Sequence, residues 1–403
     1  STEVARLIQR QLAGRGPLRG HPVPLIAETG GQNAMIVDSS ALAEQVVGDV
    51  IASAFDSAGQ RCSALRILCL QEDVADRTLS MLKGALAELR VGNPDSLSTD
   101  VGPVISAAAQ AGITGHIEAM RARGHRVTQL AVPPEWAARG TFVGPAIIEI
   151  GSIDELSREV FGPVLHVVRF PRDGLGQLID RINATGYGLT FGLHTRLDET
   201  VAQVTAQVRA GNLYVNRNTI GAVVGSQPFG GRGLSGTGPK AGGPLYLRRL
   251  VAAGDNWVGA PESPLGTVTE LPGPVGERNV HAYRPRGRIL LRPLTPAGLR
   301  EQMAVVIATG NRATVQGMDL PADLPAEVAE RFRPDPGEPF AACLVEGGAD
   351  EIKAACRAVA AMEGAIVPVH VDAGPGGIWL LEEVSTSVNT TAAGGNASLM
   401  AIE

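Results

Sequence analysis

Helix-like and strand-like patterns alternate along this chain from residue 39 to about Val215, and this alternation limits the fold more than any other feature. Apolar residues recur at helical spacing over 46–55, in a helix predicted to begin at Ser39 or Ser40. The apolar run 66–70 then predicts a buried strand. Because strands that alternate with helices build a sheet covered by helices, the sequence predicts an α/β fold.

Further patterns extend this prediction to both ends of the chain. A helix is predicted over 1–13, capped by Ser1 or Thr2. Beyond a Pro- and Gly-rich boundary at 261–276, the patterns predict a second, smaller α/β unit. The remaining predicted elements are strands at 24–27, 34–37, 288–291, 304–308, 341–345 and 366–371, and a helix at 350–362.

The composition of the 403 residues argues against several classes of function. The net charge of −6 comes without a dense Lys/Arg block, which speaks against a nucleic-acid surface. The cysteines, at positions 62, 69, 343 and 356, have no metal-ligand or disulfide spacing, so we expect no metal site and a reduced, cytoplasmic environment. No apolar run reaches the roughly 18–20 residues that span a bilayer.

Cys62 lies in the sequence Gly-Gln-Arg-Cys-Ser (59–63), between the end of a helix and the start of a strand. A nucleophilic thiol must be accessible and its thiolate must be favoured, and a loop that points into a cleft can meet both needs. A lone cysteine is more often a small buried hydrophobic residue, and we keep that interpretation for Cys69, Cys343 and Cys356. The residues alone leave both interpretations of Cys62 open.

Glu28 follows an apolar segment and precedes two glycines. A carboxylate held at the wall of a pocket can have a raised pKa and can then deprotonate water. An isolated glutamate in such a place is more often a solvated residue at the end of a strand or a partner in a helix cap. Glu28 and Cys62 are more informative together than either residue alone.

Five short motifs occur in the order and spacing of one enzyme family. They are Glu-Thr-Gly-Gly-Gln-Asn (28–33), Gly-Gln-Arg-Cys-Ser (59–63), Glu-Val-Phe-Gly-Pro (159–163), Gly-Asn-Leu-Tyr-Val-Asn-Arg (211–217) and Pro-Phe-Gly-Gly (228–231). In these motifs the chain resembles the aldehyde dehydrogenase superfamily. The resemblance favours Cys62 as nucleophile and Glu28 as base. It implies an α/β catalytic domain with three α/β/α layers and a second, smaller Rossmann-like domain.

Longer segments resemble the proline utilization A family of bifunctional flavoenzymes: 27–38, 220–225, 235–244, 272–279 and 387–400. The tail resembles a lid that closes an internal tunnel in the longer members. The resemblance implies the C-terminal part of such an enzyme. Its implied segments are a remnant of the NAD-binding domain (1–27), an aldehyde dehydrogenase catalytic domain (28–235), an oligomerisation flap (236–260), an aldehyde-dehydrogenase-like domain (261–384) and a lid motif (385–403).

By this resemblance, the chain is expected to oxidise L-glutamate γ-semialdehyde, which forms from Δ1-pyrroline-5-carboxylate, to L-glutamate in the second step of proline catabolism. Cys62 would form a thioester, and Glu28 would activate the water that hydrolyses it. The residues expected to contact the substrate are Ser63, Gly221, Ala222 and Phe229. Those expected to contact NAD are Ser1, Thr2, Glu159 and Phe161. Gly221 taken by itself is typical of a turn glycine, although its loop has the small side chains that an anion-binding backbone nest needs.

The resemblance also implies parts that precede residue 1 in the family. These are most of the dinucleotide-binding domain, an Asn side chain that serves as second oxyanion donor, and a proline dehydrogenase that binds FAD. The chain lacks an initiator Met and opens in a helix, which agrees with a missing upstream segment. Apolar residues at Leu245, Tyr246 and Leu247 are predicted to be exposed and favour a homo-oligomer. The choice of NAD over NADP is not encoded here, because the residues that read the ribose lie upstream in the family.

We expect the isolated chain to bind NAD weakly or not at all, since most of the family's dinucleotide-binding domain is absent from it. Isothermal titration calorimetry with NAD checks this expectation. Tight binding to the isolated chain would contradict it.

Two alternatives stay open. The first is an aldehyde dehydrogenase of another specificity, which a substrate panel distinguishes if Gly221 and Ala222 select an aldehyde with a distal amino-acid group. The second is a catalytically incompetent chain with a structural role, in which 236–249 serves in oligomerisation. That role is favoured for residues 255–403, where the sequence has no Cys/Glu pair of the kind formed by Cys62 and Glu28.

Overall fold

The computed structural model describes residues 1–250, 262–333 and 337–391. The helices are α1 (Thr2–Arg15), α2 (Ala43–Phe55), α3 (Glu72–Glu88), α4 (Ala107–Ala122), α5 (Pro134–Ala137), α6 (Leu175–Ala184), α7 (Asp198–Gln207), α8 (Tyr246–Leu250), α9 (Pro296–Ala308), α10 (Ala326–Ala329) and α11 (Ala349–Ala360). The strands are β1 (Ala34–Val37), β2 (Ile67–Gln71), β3 (Arg126–Gln129), β4 (Ala146–Glu149), β5 (Val164–Phe170), β6 (Tyr187–Gly188), β7 (Thr190–His194), β8 (Asn212–Val215), β9 (Arg232–Gly233), β10 (Val268–Leu271), β11 (Glu277–Pro285), β12 (Arg288–Arg292), β13 (Arg312–Val315), β14 (Phe340–Val345), β15 (Val369–His370) and β16 (Leu381–Asn389).

The chain divides into two compact units. Of the described residues, the large-sheet unit contains 30–226, 272–279 and 386–391, and the four-stranded unit contains 1–29, 227–250, 262–271, 280–333 and 337–385. Each unit combines segments that are distant in sequence. The five-segment division implied by the family resemblance remains a proposal.

Seven neighbouring strands lie wholly in the large-sheet unit, in the order β8-β7-β1-β2-β5-β4-β3. Neighbours from β8 through to β4 run parallel, whereas β3 joins β4 antiparallel at the edge. The central strands β1 and β2 are buried at every position. This continuous burial is expected of parallel strands that are covered on both faces, and it confirms the α/β prediction.

The four-stranded unit contains a parallel sheet in the order β13-β12-β14-β15. Successive residues of β12 enter different cores, because side chains of a strand alternate between the two faces. Ile289 and Leu291 pack with residues of α9, whereas Leu290 packs with residues of α11. A parallel sheet with a helix packed on each face is the predicted Rossmann-like architecture.

Three local predictions are wrong, each because a distant partner decides the structure. Residues 24–27 form no regular strand: Ala27 pairs instead with Thr237, whose hydroxyl accepts the Ala27 N–H at 3.0 Å. The predicted strand 304–308 is the end of α9, which begins at Pro296 after the Thr295 cap. Helix α2 begins at Ala43 and not at Ser39 or Ser40. The hydroxyl of Ser40 instead donates to Asp38 at 2.6 Å.

The two ends of the chain and the segment around α8 test further sequence predictions. The helix at the start of the chain is confirmed as α1, in which the Ser1 hydroxyl accepts the N–H of Val4 at 3.4 Å. The prediction that Leu245 is exposed is wrong, since 4% of its surface is accessible, whereas Leu247 is 73% exposed. The lid motif beyond residue 391 and the end of the flap segment, from 251 on, lie outside the described residues.

Within the described ranges, no helix has the length and hydrophobicity needed to cross a membrane. Across the same residues, no group of three or more His, Cys, Asp or Glu side chains is arranged to hold a metal ion.

Candidate active site

A strained turn leads from α2 to the loop that contains Cys62. Ser57, Ala58 and Gly59 all have left-handed backbone conformations, with φ of 55°, 54° and 63°. A β-carbon on residue 59 would overlap the backbone carbonyl of Gly162, so this position requires glycine. The turn ends the helix abruptly and leads directly into the 60–65 loop, where Cys62 is exposed.

Asn33 holds the backbone of the 60–65 loop through two hydrogen bonds from its side chain. Its side-chain amide donates to the carbonyl oxygens of Cys62 at 2.7 Å and Ala64 at 2.8 Å. Its own oxygen accepts the N–H of Thr190 at 3.1 Å, and Asn33 is 2% exposed. One buried amide therefore ties the loop to β7, and a buried amide with satisfied hydrogen bonds holds its partners in one geometry.

Two threonine hydroxyls hold the next residue of the loop. Thr190 donates to the carbonyl of Ser63 at 3.2 Å and Thr219 donates to the same oxygen at 3.1 Å. Ser63, predicted to contact substrate, is 7% exposed. The loop is therefore anchored on both sides of the exposed thiol.

The buried guanidinium of Arg66 binds both Glu159 and the backbone near Cys62. Its guanidinium, 1% exposed, donates from Nε and Nη2 to Glu159 at 3.2 and 3.0 Å. It also donates to the carbonyls of Gly59 at 2.8 Å, Gly162 at 3.1 Å and Arg61 at 3.1 Å. These contacts use the full donor capacity of a guanidinium, which a lysine could not reproduce.

The charge of Arg66 reaches both the predicted nucleophile and the predicted cofactor ligand. Burial lowers the pKa of Arg66, and the negative charges of Glu159 and of a Cys62 thiolate oppose that shift. By the same interaction, the guanidinium favours the thiolate form of Cys62. A buried cation beside an exposed thiol is the electrostatic setting that a reactive cysteine needs.

Glu159 is held in place but keeps some capacity to bind a ligand. Its Oε2 atom accepts the N–H of Gly31 at 3.1 Å, while Oε1 takes both bonds from Arg66. A carboxylate has about four acceptor positions, so Oε2 can accept one further hydroxyl. A β-carbon on Gly30 would lie 2.5 Å from Oε2, which explains the glycine there. The ring of Phe161 is 45% exposed, with the guanidinium carbon of Arg66 5.2 Å from its centroid.

An Arg66→Met substitution is expected to cost about 3–5 kcal/mol of unfolding free energy, because it leaves the charge of Glu159 without its cation and removes one donor from each of three carbonyls. Urea denaturation measures this loss. The matched control is Arg77→Met, whose partner Glu44 is 3.5 Å away in a pair that is about 70% exposed on both sides. That exposed pair is expected to contribute about 0–1 kcal/mol. Equal losses in the two variants would contradict the role of Arg66.

The predicted substrate loop is open to solvent. Gly221 and Gly225 have φ of 74° and 87°, and neither would bring a β-carbon within 4 Å of another atom. Both glycines are therefore required by backbone conformation and not by crowding. Gly221 is exposed and Ala222 is half-buried.

Glu28 lies in the four-stranded unit, where glycines surround its carboxylate closely. Its Oε2 atom accepts the N–H of Gly231 at 2.9 Å. A β-carbon on Gly236 would lie 2.6 Å from Oε1, and one on Gly230 would lie 3.2 Å from it. The adjacent Thr29 donates its N–H to the carbonyl of Ser235 at 2.9 Å, which fixes the segment. The backbone of these glycines thus packs closely against one side of a carboxylate whose residue remains exposed on the other.

Burial raises the pKa of Glu28 to about 7, and the Gly231 N–H and the charge of Lys240 oppose the shift. A carboxylate with a pKa near neutrality is a much stronger base than an ordinary one and is still ionised in part at pH 7. From the sequence, a raised pKa is expected if this carboxylate is held at the wall of a pocket, and in the structure desolvation raises it.

The structure also describes the remaining residues that were predicted to belong to the site. In the four-stranded unit, Ser1 caps α1, Thr2 begins it, and half-buried Phe229 exchanges two backbone hydrogen bonds with Ala241 at 2.9 and 2.8 Å. In the large-sheet unit, Arg66 connects the Cys62 loop to Glu159. Glu28 and Cys62 belong to different units, and their convergence on one substrate remains a proposal.

Asn33 and Arg66 were missed as functional residues by sequence reasoning. Asn33 occurs in the motif 28–33, which offered a signal, whereas Arg66 appears as an ordinary charged residue at the start of an apolar run.

Comparison with known proteins adds an independent observation. The model of the aldehyde dehydrogenase family matches residues 1–252. The bifunctional protein PutA of Rhizobium meliloti is 53% identical over 453 aligned positions, which cover 100% of this chain and 37% of that protein. A 1-pyrroline-5-carboxylate dehydrogenase of Geobacillus kaustophilus (strain HTA426) is 37% identical over 227 positions, covering 55% of this chain and 43% of that protein.

Solved structures agree in fold. The structure of proline utilization A (PutA) from Corynebacterium freiburgense matches with a TM-score of 0.73 at 27% identity, covering 96% of this chain and 41% of that chain. The present chain spans only 35% to 37% of the length of the first curated relatives that it matches.

Proposed function

The chain belongs to the aldehyde dehydrogenase family, and from this premise we propose that it carries the catalytic part of an NAD-dependent dehydrogenase. The proposed reaction oxidises L-glutamate γ-semialdehyde, formed by hydrolysis of Δ1-pyrroline-5-carboxylate, to L-glutamate. Two kinds of relative support this choice, since they are named PutA and 1-pyrroline-5-carboxylate dehydrogenase. The single observation that carries the proposal is an exposed thiol, Cys62, on a loop organised by the buried cation of Arg66.

The first step is attack of the Cys62 thiolate on the aldehyde carbon, which forms a C–S bond and places negative charge on the aldehyde oxygen. Sulfur suits this role because it is both a strong nucleophile and a good leaving group in the later hydrolysis. Asn33, Thr190 and Thr219 hold the loop backbone, so that the attacking atom does not have to be ordered in each cycle.

The second proposed role is that of Glu28 as general base. Its carboxylate accepts a proton from water as the oxygen of that water attacks the thioester carbon. The C–S bond then breaks, and L-glutamate and the free thiolate are released. A base with a pKa of about 7 is suited to this transfer near neutral pH, because it is partly ionised and still basic. The proposal requires that Glu28 and Cys62 reach the same reacting carbon.

The residues present fit the nicotinamide half of NAD. The unused acceptor capacity of Glu159 Oε2 suits a ribose hydroxyl, and the exposed ring of Phe161 suits packing beside a planar ring. The N-terminus of α1, at Ser1 and Thr2, offers N–H groups and a positive dipole end to a phosphate. When bound, NAD would accept the hydride that leaves the substrate carbon after the thiolate has attacked.

Thiol labelling tests the proposal without a cofactor. At near-neutral pH, iodoacetamide should modify Cys62 fast and selectively, because the thiol is exposed and its thiolate is favoured. Cys356 is the internal control, since it is half-buried and burial raises its pKa. Mass spectrometry of proteolytic peptides separates the two rates. Labelling of Cys62 that is as slow as that of Cys356 would favour the structural alternative.

Substrate recognition gives a second prediction, at Gly221. L-glutamate, the proposed product, should protect Cys62 from labelling, whereas butanoate, which lacks the amino-acid group, should not. A Gly221→Asp variant is expected to reduce this protection at least tenfold, because its carboxylate repels that of the ligand. Gly225→Asp is the matched control, with the same kind of φ and the same open space. Equal protection in both variants would contradict recognition at Gly221.

The remaining parts of the proposal concern the larger protein. A flavin-dependent proline dehydrogenase in the same polypeptide is proposed from the relatives that are named bifunctional. A homo-oligomer is proposed from exposed Leu247 and Leu250 in α8. The structural role proposed for the C-terminal part agrees with Cys343, which is fully buried with a pKa raised by burial to about 12.

A further inference from the structure

Lys240 is a buried lysine that neither the thiol chemistry nor the binding of ligands requires. Only 2% of the surface of Lys240 is accessible, and its ammonium donates to the carbonyl oxygen of Gly230 at 2.7 Å. Its backbone N–H donates to Oε2 of Glu383 at 2.8 Å, and Glu383 also contacts His281 at 3.2 Å. A buried lysine is costly, because the ammonium must give up its hydration. The position of this ammonium therefore calls for an explanation.

The Gly230 carbonyl and the Gly231 N–H are the two ends of the same peptide group. The ammonium of Lys240 donates to the oxygen of this peptide group. The N–H of the same group, on Gly231, donates to Oε2 of Glu28 at 2.9 Å. A hydrogen bond to a carbonyl oxygen polarises the peptide and strengthens its N–H as a donor. The arrangement is a short chain of contacts, from the ammonium through one peptide group to the carboxylate.

We infer that Lys240 is a positioning residue for the proposed general base Glu28, acting through the peptide group between Gly230 and Gly231. This inference rests on the proposed function only in its catalytic consequence. The geometry holds the peptide in one orientation, since a rotated peptide would lose the ammonium at one end and the carboxylate at the other. The fixed N–H of Gly231 thereby holds the carboxylate of Glu28 in one orientation, although the glycines around it have no side chains to bind it.

The charges that face these two groups come from several elements. Glu383 and Glu382 on β16 act on Lys240, as does Glu28. Burial lowers the pKa of Lys240 to about 8, and those three carboxylates oppose that shift. Glu382 is also bound by Arg232 on β9, at 2.6 Å, and Glu383 by His281 on β11. Lys240 is thus still charged at pH 7, where Glu28 titrates, and its charge favours the ionised base.

The test uses p-nitrophenyl acetate, an activated ester that acylates a thiolate and needs no cofactor. Release of nitrophenolate in a first burst reports formation of the Cys62 thioester, and the steady rate reports its hydrolysis. In a Lys240→Met variant of the 403-residue chain, the midpoint of the pH profile for hydrolysis should rise by roughly one unit, because the cation that favours ionised Glu28 is gone. The steady rate at pH 7 should then fall about fivefold, while the rate at pH 9 and the burst stay unchanged.

Two further variants complete the test. Lys240→Gln keeps a donor for the Gly230 carbonyl, and so the orientation of the peptide, but its neutral amide polarises the Gly231 N–H less than an ammonium does. Its midpoint should also rise, by less than that of Lys240→Met, and it can be measured even if the methionine variant does not fold. Lys83→Met is the control: Lys83 pairs with Glu149 at 2.8 Å in the large-sheet unit, and its loss should not shift the profile. Uniform loss of rate at every pH, with an unshifted midpoint, would overturn the inference and indicate a merely structural lysine.

The outcome for the proposed function is read separately. If the wild-type chain gives no burst, the proposed function fails. The inference is then still decided by isotope-edited infrared spectroscopy of the Glu28 carboxyl, compared with Glu28→Gln. A midpoint that is higher in Lys240→Gln than in wild type supports the inference, and identical midpoints overturn it.

Discussion

A Cys62→Ser variant is expected to lose the nitrophenolate burst, with an acylation rate at least about a thousandfold lower than that of the wild-type chain. A serine hydroxyl is essentially un-ionised at neutral pH, and the positive charge of Arg66 cannot lower its pKa far enough to change this. A thiol, in contrast, is ionised to about a few per cent at neutral pH even in an ordinary environment, and Cys62 is exposed to the reagent. Stopped-flow absorbance at about pH 7.5 measures the burst.

The matched control for this prediction is Cys356→Ser. Cys356 is half-buried in α11, and burial raises its pKa, so its removal should leave the burst intact. A burst that survives in Cys62→Ser, or that disappears in Cys356→Ser, would show that the reacting thiol has been misassigned.

A Glu28→Gln variant is expected to keep the burst but to lose about a hundredfold to ten-thousandfold of the steady hydrolysis rate, the usual contribution of a general base. The amide preserves the size of the side chain and cannot take a proton from water. Glu149→Gln serves as control, since Glu149 is a partly buried carboxylate on β4 that pairs with Lys83. If burst and steady rate fall together, Glu28 acts earlier than proposed or supports the fold.

The same variant has an expected effect on stability with a definite sign. In the folded chain the pKa of Glu28 is raised from 4.5 to about 7, so the protonated form stabilises the fold and ionisation costs free energy. This contribution is complete below about pH 4.5 and is lost as pH rises through about 7. Glu28→Gln should therefore melt above wild type at pH 8, by a modest amount because the residue is partly exposed, and show much less gain at pH 5. The base would then be a site where activity is kept at the expense of stability.

Sequence patterns could predict the elements whose own side chains are enough to decide their structure. The strand at 34–37 and the strand at 288–292 carry apolar runs that fit only a buried sheet. The extended segment 24–27 was misassigned because its partner, Thr237, lies about 210 residues away and bonds through a hydroxyl. The valines and isoleucine near 305–307 favour strands locally, but the Thr295 cap and Pro296 start a helix that continues through them.

The same division holds in the candidate site. Cys62, Glu28 and Glu159 carry their chemistry in their residue type, and motif order singled them out. Arg66 and Lys240 could not be found in this way, because a charged residue is assumed to be solvated until the fold buries it. Their importance comes from backbone carbonyls and carboxylates brought to them by distant segments, such as Gly162 for Arg66 and Glu383 for Lys240.

The central claim is that the Cys62 thioester is hydrolysed by water that Glu28 activates, and the lifetime of that thioester tests it most directly. The chain is acetylated with p-nitrophenyl acetate, freed of excess ester, and followed by intact-protein mass spectrometry across the pH range. The account predicts that the adduct on Cys62 decays faster as pH rises through about 7 in wild type, and persists with little pH dependence over that range in Glu28→Gln. Identical decay of the adduct in the two chains, at every pH, would contradict it.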